Sequence, residues 1–283
     1  MFGIVFLLLS CIPREDPPDR ITLDYLRTLP DTLFENSGMI GSENMIWFIT
    51  DGGNKPELYA YSYDQDTVIR TVVVKDAVNT DWEDITRNED FVYIGDFGNN
   101  LGNRTDLRIY ILNRSALLTE ADTVMPSGLI NFSYSDQTDF SYENESTPYD
   151  CEAFIATGDS IYLFTKDWST HETSIYVIPA RPGTHIARFR AQWQGISGLV
   201  TSAAWSPATQ DLYLLGYTPL IPLVVKFTGF TPEELTFTDA TRYDFADFWG
   251  AQTEALMISD NGLVYISSER SSVSNAGLFR IED

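Results

Sequence analysis

Five stretches decide the fold when laid over one another: SGMIGSENMIWF (37–48), EDITRNEDFVYI (83–94), EAFIATGDSIYL (152–163), SAAWSPATQDLYL (202–214) and EALMISDNGLVYI (254–266). Each opens on Ser or Glu, runs through small and apolar residues, and reaches an aromatic ten or eleven positions on: Trp47, Tyr93, Tyr162, Tyr213 and Tyr265. Successive heads lie 46, 69, 50 and 52 residues apart, the repeat length of a four-stranded propeller blade. Between the heads, short β-rich runs such as ELYAYSY, LRIYILN, TSIYVIP and PLVVKFT alternate with Gly, Asn, Asp and Pro. Asn261-Gly262 reads as a hairpin turn between two such runs.

The reading is therefore an all-β chain in which residues 21–283 form a single β-propeller of five four-stranded blades. The long second interval holds an insertion around residues 114–148. That insertion offers one convincing strand, so a sixth blade is the weaker count. The last repeat has only enough chain for three strands, and ITLDYLRTL (21–29) is expected to supply the fourth and close the ring.

Residues 1–20 are of another kind. MFGIVFLLLSC is apolar but too short to span a bilayer, and it ends Leu-Leu-Ser-Cys. That ending resembles a bacterial lipoprotein signal, with Cys11 as the lipidated residue and the polar, Pro-rich IPREDPPDR as its tether. No Lys or Arg precedes the apolar run, which departs from the pattern. A plain secretion signal is the alternative. The expectation is a protein of the bacterial cell envelope, periplasmic or at the cell surface, that meets the membrane only through the anchor.

The 41 acidic residues against 18 Lys and Arg give a net charge of −23, which repels phosphate backbones and argues against nucleic acid as a partner. With two histidines, neither at a repeat head, a His-based triad or zinc centre has little to stand on. The sequence contains no G-x-S-x-G elbow, phosphate-cradling P-loop or EF-hand pattern.

Equivalent positions of a propeller repeat converge on the central channel. Ser37, Glu83, Glu152, Ser202 and Glu254 are thus expected to form one ring. Three carboxylates crowded on an axis repel one another unless a positive charge sits among them. Hard oxygen donors without thiolate or imidazole suit Ca²⁺. The other reading is turn and bulge residues around a water-filled channel. A second tier, Asp51, Asp96, Lys166, Tyr217 and Glu269, falls at the end of each repeat's second strand and, with Asn99, Asn100 and Arg104, is expected to line the channel mouth. There, Lys166 or Arg104 would hold a small anionic ligand while a carboxylate positions water.

The head pattern, carried by ENSG (35–38), DWEDI (81–85), DCEAF (150–154), VTSAAW (200–205) and TEALM (253–257), resembles the calcium-activated nucleotidases (apyrases). That resemblance implies a five-bladed propeller with an axial Ca²⁺. DWEDI followed by YIGDFGNN and a nearby Arg is similar to a group of secreted bacterial propellers with phytase-like or esterase-like relatives. Together these imply the fold and the metal. The resulting expectation is a monomeric Ca²⁺-binding propeller, acting either as a hydrolase of phosphate esters or as a non-catalytic module that recognises an envelope partner.

Overall fold

The computed structural model describes residues 21–41 and 44–282, so Cys11 and the tether lie outside the described residues. The chain is all-β. Strand β1 (Thr22–Thr28) comes first, and β2 (Asn36–Gly41), β3 (Met45–Thr50), β4 (Glu57–Ser62) and β5 (Thr67–Val74) make the first up-and-down group. The second begins with β6 (Trp82–Arg87), β7 (Phe91–Asp96) and β8 (Arg108–Asn113). The insertion follows as a helical turn α1 (Arg114–Leu117), β9 (Thr123–Val124) and β10 (Gly128–Tyr134). The third group is β11 (Asp150–Thr157), β12 (Ser160–Lys166), β13 (Thr173–Pro179) and β14 (Gly183–Trp193), and the fourth is β15 (Leu199–Ser206), β16 (Asp211–Tyr217), β17 (Pro222–Thr228) and β18 (Asp239–Asp244). The last runs β19 (Thr253–Ile258), β20 (Val264–Ser268), β21 (Gly277–Glu282), with β1 outermost.

The first strands of these groups touch in order, β2 to β6, β11, β15, β19 and back to β2. This closed ring of inner strands, each leading an antiparallel sheet outward, is a β-propeller. Apolar layers fill the wedges between neighbouring sheets. One holds Ile49, Val72, Trp82, Ile94 and Leu112 between the first two groups. Another packs Trp193 against Phe227 with ring centroids 4.5 Å apart, between the third and fourth. Ring closure rests on Leu33, Met39, Phe48, Tyr61, Met257 and Leu278 between the last group and the first. The aromatic that ends each repeat therefore serves the core and not the channel, as Tyr93, Tyr162, Tyr213 and Tyr265 are all buried there.

The insertion does not build another sheet. Its β10 pairs antiparallel with β8 as the outer strand of the second group, then parallel with β14, fusing two groups into one eight-stranded sheet. Its β9 pairs parallel with β5. Outer edges that would otherwise be open to other chains are thereby covered.

β1 pairs antiparallel with β21 from Thr22↔Glu282 to Thr28↔Gly277, and it buries Ile21 and Leu23 against Phe279 and Ile281. A chain beginning at Pro30 loses that strand and uncovers the edge of β21. Two buried aliphatic side chains contribute about 3–6 kcal/mol. We therefore expect the shortened chain to melt about 6–24 °C lower and to elute partly as aggregate, read by calorimetry and size-exclusion chromatography.

Candidate functional site

Each inner strand carries one β-bulge near its start, where an extra residue is left out of the ladder and re-aimed. The bulges fall on Ser37, Glu83, Glu152, Thr201 and Glu254. Four of these are the heads read from the repeat. In the fourth group the position belongs to Thr201 and not to Ser202. The β15–β16 hairpin is longer than its equivalents: Ala204 pairs with Tyr213, as Ile40 pairs with Trp47 and Thr86 with Tyr93. Counting back from the aromatic at the shorter spacing lands one residue late. Thr201 behaves as Ser37 does. Ser37 Oγ donates to Trp82 O at 2.6 Å, and Thr201 Oγ1 donates to Thr253 O at 2.7 Å, each tying its sheet to the residue before the next Glu head.

Ser202 sits one step further along the channel, in a layer made of Gly38, Asp84, Ala153, Ser202 and Ala255. Asp84 is the one large residue among them, and it is fully buried. Its Oδ1 accepts from Ile85 N–H (2.9 Å) and Ser202 Oγ (3.2 Å), and its Oδ2 accepts from Phe154 N–H (3.2 Å). Ser202 Oγ in turn accepts from Leu256 N–H at 3.1 Å. The carboxylate thus links β6, β11, β15 and β19 across the axis. Burial raises its pKa well above the ordinary value, opposed by the donors that converge on it. Gly38 makes room: a Cβ there would stand 2.8 Å from Ile85 N and 3.0 Å from Asp84 Cα.

Above this layer lies the acidic mouth. Carboxylate oxygens of Asp51, Asp81 and Glu83 all lie within 4.8 Å of one another. Two oxygens that each sit about 2.4 Å from one ion are at most about 4.8 Å apart, so the three carboxylates fit a single Ca²⁺. Gly52 and Gly98 flank them. A Cβ on Gly52 would collide with Asp81, and one on Gly98 with both Glu83 and Asp81, so the backbone closes on these oxygens. Asp81 is absent from the ring that the repeat predicts. It precedes β6, and its carbonyl receives the N–H groups of Phe97 and Gly98, which draws the loop after β7 over it.

Lys166, the buried cation of the mouth, sits beside these acids. Its Nζ is 3.2 Å from Glu152 Oε1 and lies over the rings of Trp168 (4.8 Å) and Tyr217 (5.5 Å). Burial alone would lower its pKa, but Glu152, Tyr217, Glu254 and Asp150 raise it well above the usual lysine value. One ammonium does not neutralise its surroundings. Burial, then the charges of Glu152, Asp51, Asp81 and Asp150, hold Glu83 well above the carboxylate range. Burial pushes Glu254 up to about 8, with Glu269 adding to the rise, and pushes Glu269 up to about 7, with Asp51 adding to it. Asp81 is driven to about 7 by burial and by Asp51.

The other expected mouth residues form a separate knot. Asp96 is buried and accepts from Arg104 Nη2 at 2.9 Å and from Asp81 N–H at 3.0 Å, with Arg108 Nε 3.4 Å away. Arg104 also donates to Gly98 O (2.8 Å). Asn99 takes Arg104 N–H on its Oδ1 and gives Nδ2–H to Tyr149 O, while its own N–H reaches Asp150 Oδ1 at 2.6 Å. Asn100 contributes its backbone carbonyl, to Glu145 N–H. Arg104, Asp96 and Asn99 are thus the clamp that shapes the GDFGNN loop over Asp81. Arg104 is not an open anion receptor.

No family model matches the chain, and no curated protein matches it. Among solved structures, a glucose dehydrogenase superposes with a TM-score of 0.51 at 9% identity, covering 93% of this chain and 99% of that one. A second glucose dehydrogenase gives a TM-score of 0.48 at 10% identity over 87% of this chain and 82% of the other. The β-propeller domain of Myceliophteria thermophila Cps50 (Swd1) gives 0.44 at 6% identity, over 92% of this chain and all of that one. At 9% identity the first of these likenesses is one of fold alone, and it agrees with the closed ring of sheets.

Two outcomes follow. Asp84→Ala removes both oxygens that accept from Ile85 N–H, Phe154 N–H and Ser202, and Asp84→Asn turns one of them into a donor, so each is expected to cost about 2–4 kcal/mol in urea melts. The mouth carboxyls hold protons in the folded chain that the unfolded chain releases near pH 4, so the native state binds more protons between about pH 4 and pH 8 and stability falls as pH rises through that window. In EDTA the protein should melt several degrees higher near pH 5 than near pH 8. Calorimetry at the two pH values reads this, and a rising profile would contradict it.

Proposed function

We propose that this chain is an exported, lipid-anchored five-bladed propeller that binds Ca²⁺ through Asp51, Asp81 and Glu83 and hydrolyses a small anionic substrate, a phosphate ester, at the same mouth. The observation that carries the reading is the approach of three carboxylates to within 4.8 Å at a place where burial keeps them from ionising freely. The donor set is hard oxygen. Cys151 is buried in the wedge between the second and third groups, and neither histidine belongs to the cluster. Glu152 and Glu254 would stand behind the three ligands, with Lys166 fixed to Glu152 as their internal counter-ion. Bound there, Ca²⁺ would supply Lewis-acid polarisation of a phosphoryl oxygen. Glu269, half-buried at the rim with its carboxyl near 7, is suited to take a proton from attacking water as the new P–O bond forms and to return it to the departing alkoxide.

A second reading is favoured by one observation. Lys166 and Arg104, the cations expected to hold an anion, are both engaged by Glu152 and Asp96. An anionic ligand would then meet only the metal, and a propeller that recognises an envelope partner, with Ca²⁺ as a structural pin, becomes the alternative. The lipid anchor on Cys11, an envelope location and a monomeric state belong to the same proposal. They rest on the Leu-Leu-Ser-Cys ending and the acidic surface.

The deciding measurement is phosphate release from a panel of nucleotides and phosphate esters, in Ca²⁺ and in EDTA, beside calorimetry. We expect release that needs Ca²⁺ and drops at least about 100-fold in Glu83→Gln, together with a Ca²⁺-induced rise in Tm that the variant loses. A Tm rise without release would leave the structural pin. No response of Tm to Ca²⁺ or EDTA would remove the metal.

A further inference from the structure

The loops at the mouth end differ in charge from one side to the other. Those of the first three groups, residues 51–56 (DGGNKP), 97–107 (FGNNLGNRTDL) and 167–172 (DWSTHE), all carry acids, and two of them carry Lys55 and Arg104. In the last two groups, residues 218–221 (TPLI), 248–252 (FWGAQ) and 271–276 (SSVSNA) hold no charged side chain, in a chain of net charge −23. These three stretches meet at Gly250. Its N–H is given to Leu220 O at 2.8 Å, and its carbonyl accepts from Ser271 Oγ at 3.1 Å. A Cβ on it would stand 2.5 Å from Val273 Cγ2. Around this junction Leu220, Trp249 and Val273 are 51%, 56% and 61% exposed. Phe248 turns inward onto Phe279, ring centroids 5.0 Å apart, and leaves Trp249 beside it to solvent. Three large apolar side chains held in water on adjoining loops mark a surface that gains by being covered.

The junction adjoins Glu269. The Glu269 N–H donates at 2.9 Å to the carbonyl of Gln252, three residues past Trp249, and Ser271 lies two residues beyond Glu269. Asp51 is near enough to help raise the Glu269 carboxyl, so the same residue borders the acidic mouth on its other side. In the proposed hydrolysis the oxygen of water bonds to phosphorus, the P–O bond to the alcohol breaks, and the departing alkoxide takes its proton from Glu269. The alcohol therefore leaves beside the group that protonates it, and what borders that group is uncharged and apolar.

We propose that Leu220, Trp249 and Val273 form the subsite for the alcohol half of the substrate, and that this alcohol is apolar and aromatic, with Trp249 as the face on which its ring stacks. The assignment rests on the hydrolase reading and adds to it the class of ester. A polyol would press hydroxyl groups against apolar side chains and lose water without gaining partners, whereas an aryl group covers apolar surface with apolar surface. An alcohol half bearing further anionic groups would meet no cation within the three stretches.

The test compares 2-(1-naphthyl)ethyl phosphate with ethyl phosphate on the full chain in Ca²⁺. Their leaving alkoxides are of nearly equal basicity, so a difference in rate reads contact with the ring. The expected kcat/KM is at least about tenfold higher for the naphthyl ester, and Trp249→Ala should raise its KM about tenfold. Phe140→Ala removes an exposed aromatic ring of the insertion and should leave the preference intact. Melting temperatures show that both variants are folded. Saturation-transfer NMR with 2-(1-naphthyl)ethanol in EDTA reads the subsite without metal or catalysis: the ring protons should gain a signal that Trp249→Ala loses. Equal kcat/KM for the two esters overturns the subsite and leaves the hydrolase reading in place. No release from either ester, with a ring signal that Trp249→Ala abolishes, removes the hydrolase reading and supports the apolar subsite. A ring signal absent from the unmodified chain, or unchanged in folded Trp249→Ala, overturns the proposal.

Discussion

A single buried carboxylate holds the centre of this propeller. Inner strands of neighbouring sheets run side by side around the axis without backbone ladders between them, so something else must satisfy the polar groups that face it. Asp84 does so by reaching across: its oxygens take the N–H of Phe154 and the hydroxyl of Ser202, and Ser202 passes the linkage to Leu256. The arrangement works because the other positions in that layer are small. Gly38 leaves the space that Asp84 and its neighbour occupy. A carboxylate at such a place is costly to bury and is retained only when nearly every lone pair has a donor. Its removal is therefore more damaging than its net contribution to the intact fold suggests.

The mouth poses the opposite electrostatic problem. At the axis one carboxylate meets several donors. At the mouth several carboxylates meet one ammonium. Lys166 answers Glu152 directly, and its two neighbouring rings, Trp168 and Tyr217, offer their faces to the charge. Asp51, Asp81 and Glu83 have no direct ion pair among the described residues, and in their burial the neutral, protonated form is favoured. A divalent ion replaces those protons with one charge that several oxygens share, and this is the physical content of the Ca²⁺ proposal. The Asp96–Arg104 clamp serves the same end from outside. By fixing the loop that carries Gly98 it keeps backbone, not water, against Asp81 and Glu83.

How much of this was legible in the sequence depended on the length of the pattern. The sheets repeat every 46 to 69 residues with an aromatic fixed in each second strand, and a signal spread over the whole chain survives local irregularity. The closing strand at Thr22–Thr28 was legible for the same reason, because the last repeat lacked an outer strand. Single-residue register was less secure. Ser202 and Thr201 are both hydroxyl residues, and only the pairing of Ala204 with Tyr213 shows which one is bulged. Asp84 stands next to Glu83 in a run of acids and gives no sign in sequence that one faces the mouth and the other the axis. The alternation of a strand separates them, and a bulge between them changes that alternation. Asp81 was visible only as part of a motif, since its role depends on a loop folded over it from beyond β7. Arg104 and Lys166 read as cations near a mouth, and which carboxylates engage them is a matter of geometry that charge counting does not supply.

The Asp84 layer also lies between two ends of the channel with different linings. On one side lie the clustered carboxyl groups of Asp51, Asp81 and Glu83. On the other, the ends of the inner strands surround a cavity with Arg87, Arg114, Glu89 and Asp260 among its lining residues. A through-channel would let water and ions reach both, levelling the dielectric on which the raised carboxyl pKa values depend. The hydrogen-bonded partition prevents this. It keeps the acidic mouth and the cavity at the other end apart, a few residues along the same inner strands. That separation is a consequence of propeller geometry: inner strands run the same way around the axis, so chemistry that differs between their two ends is gathered into two distinct rings.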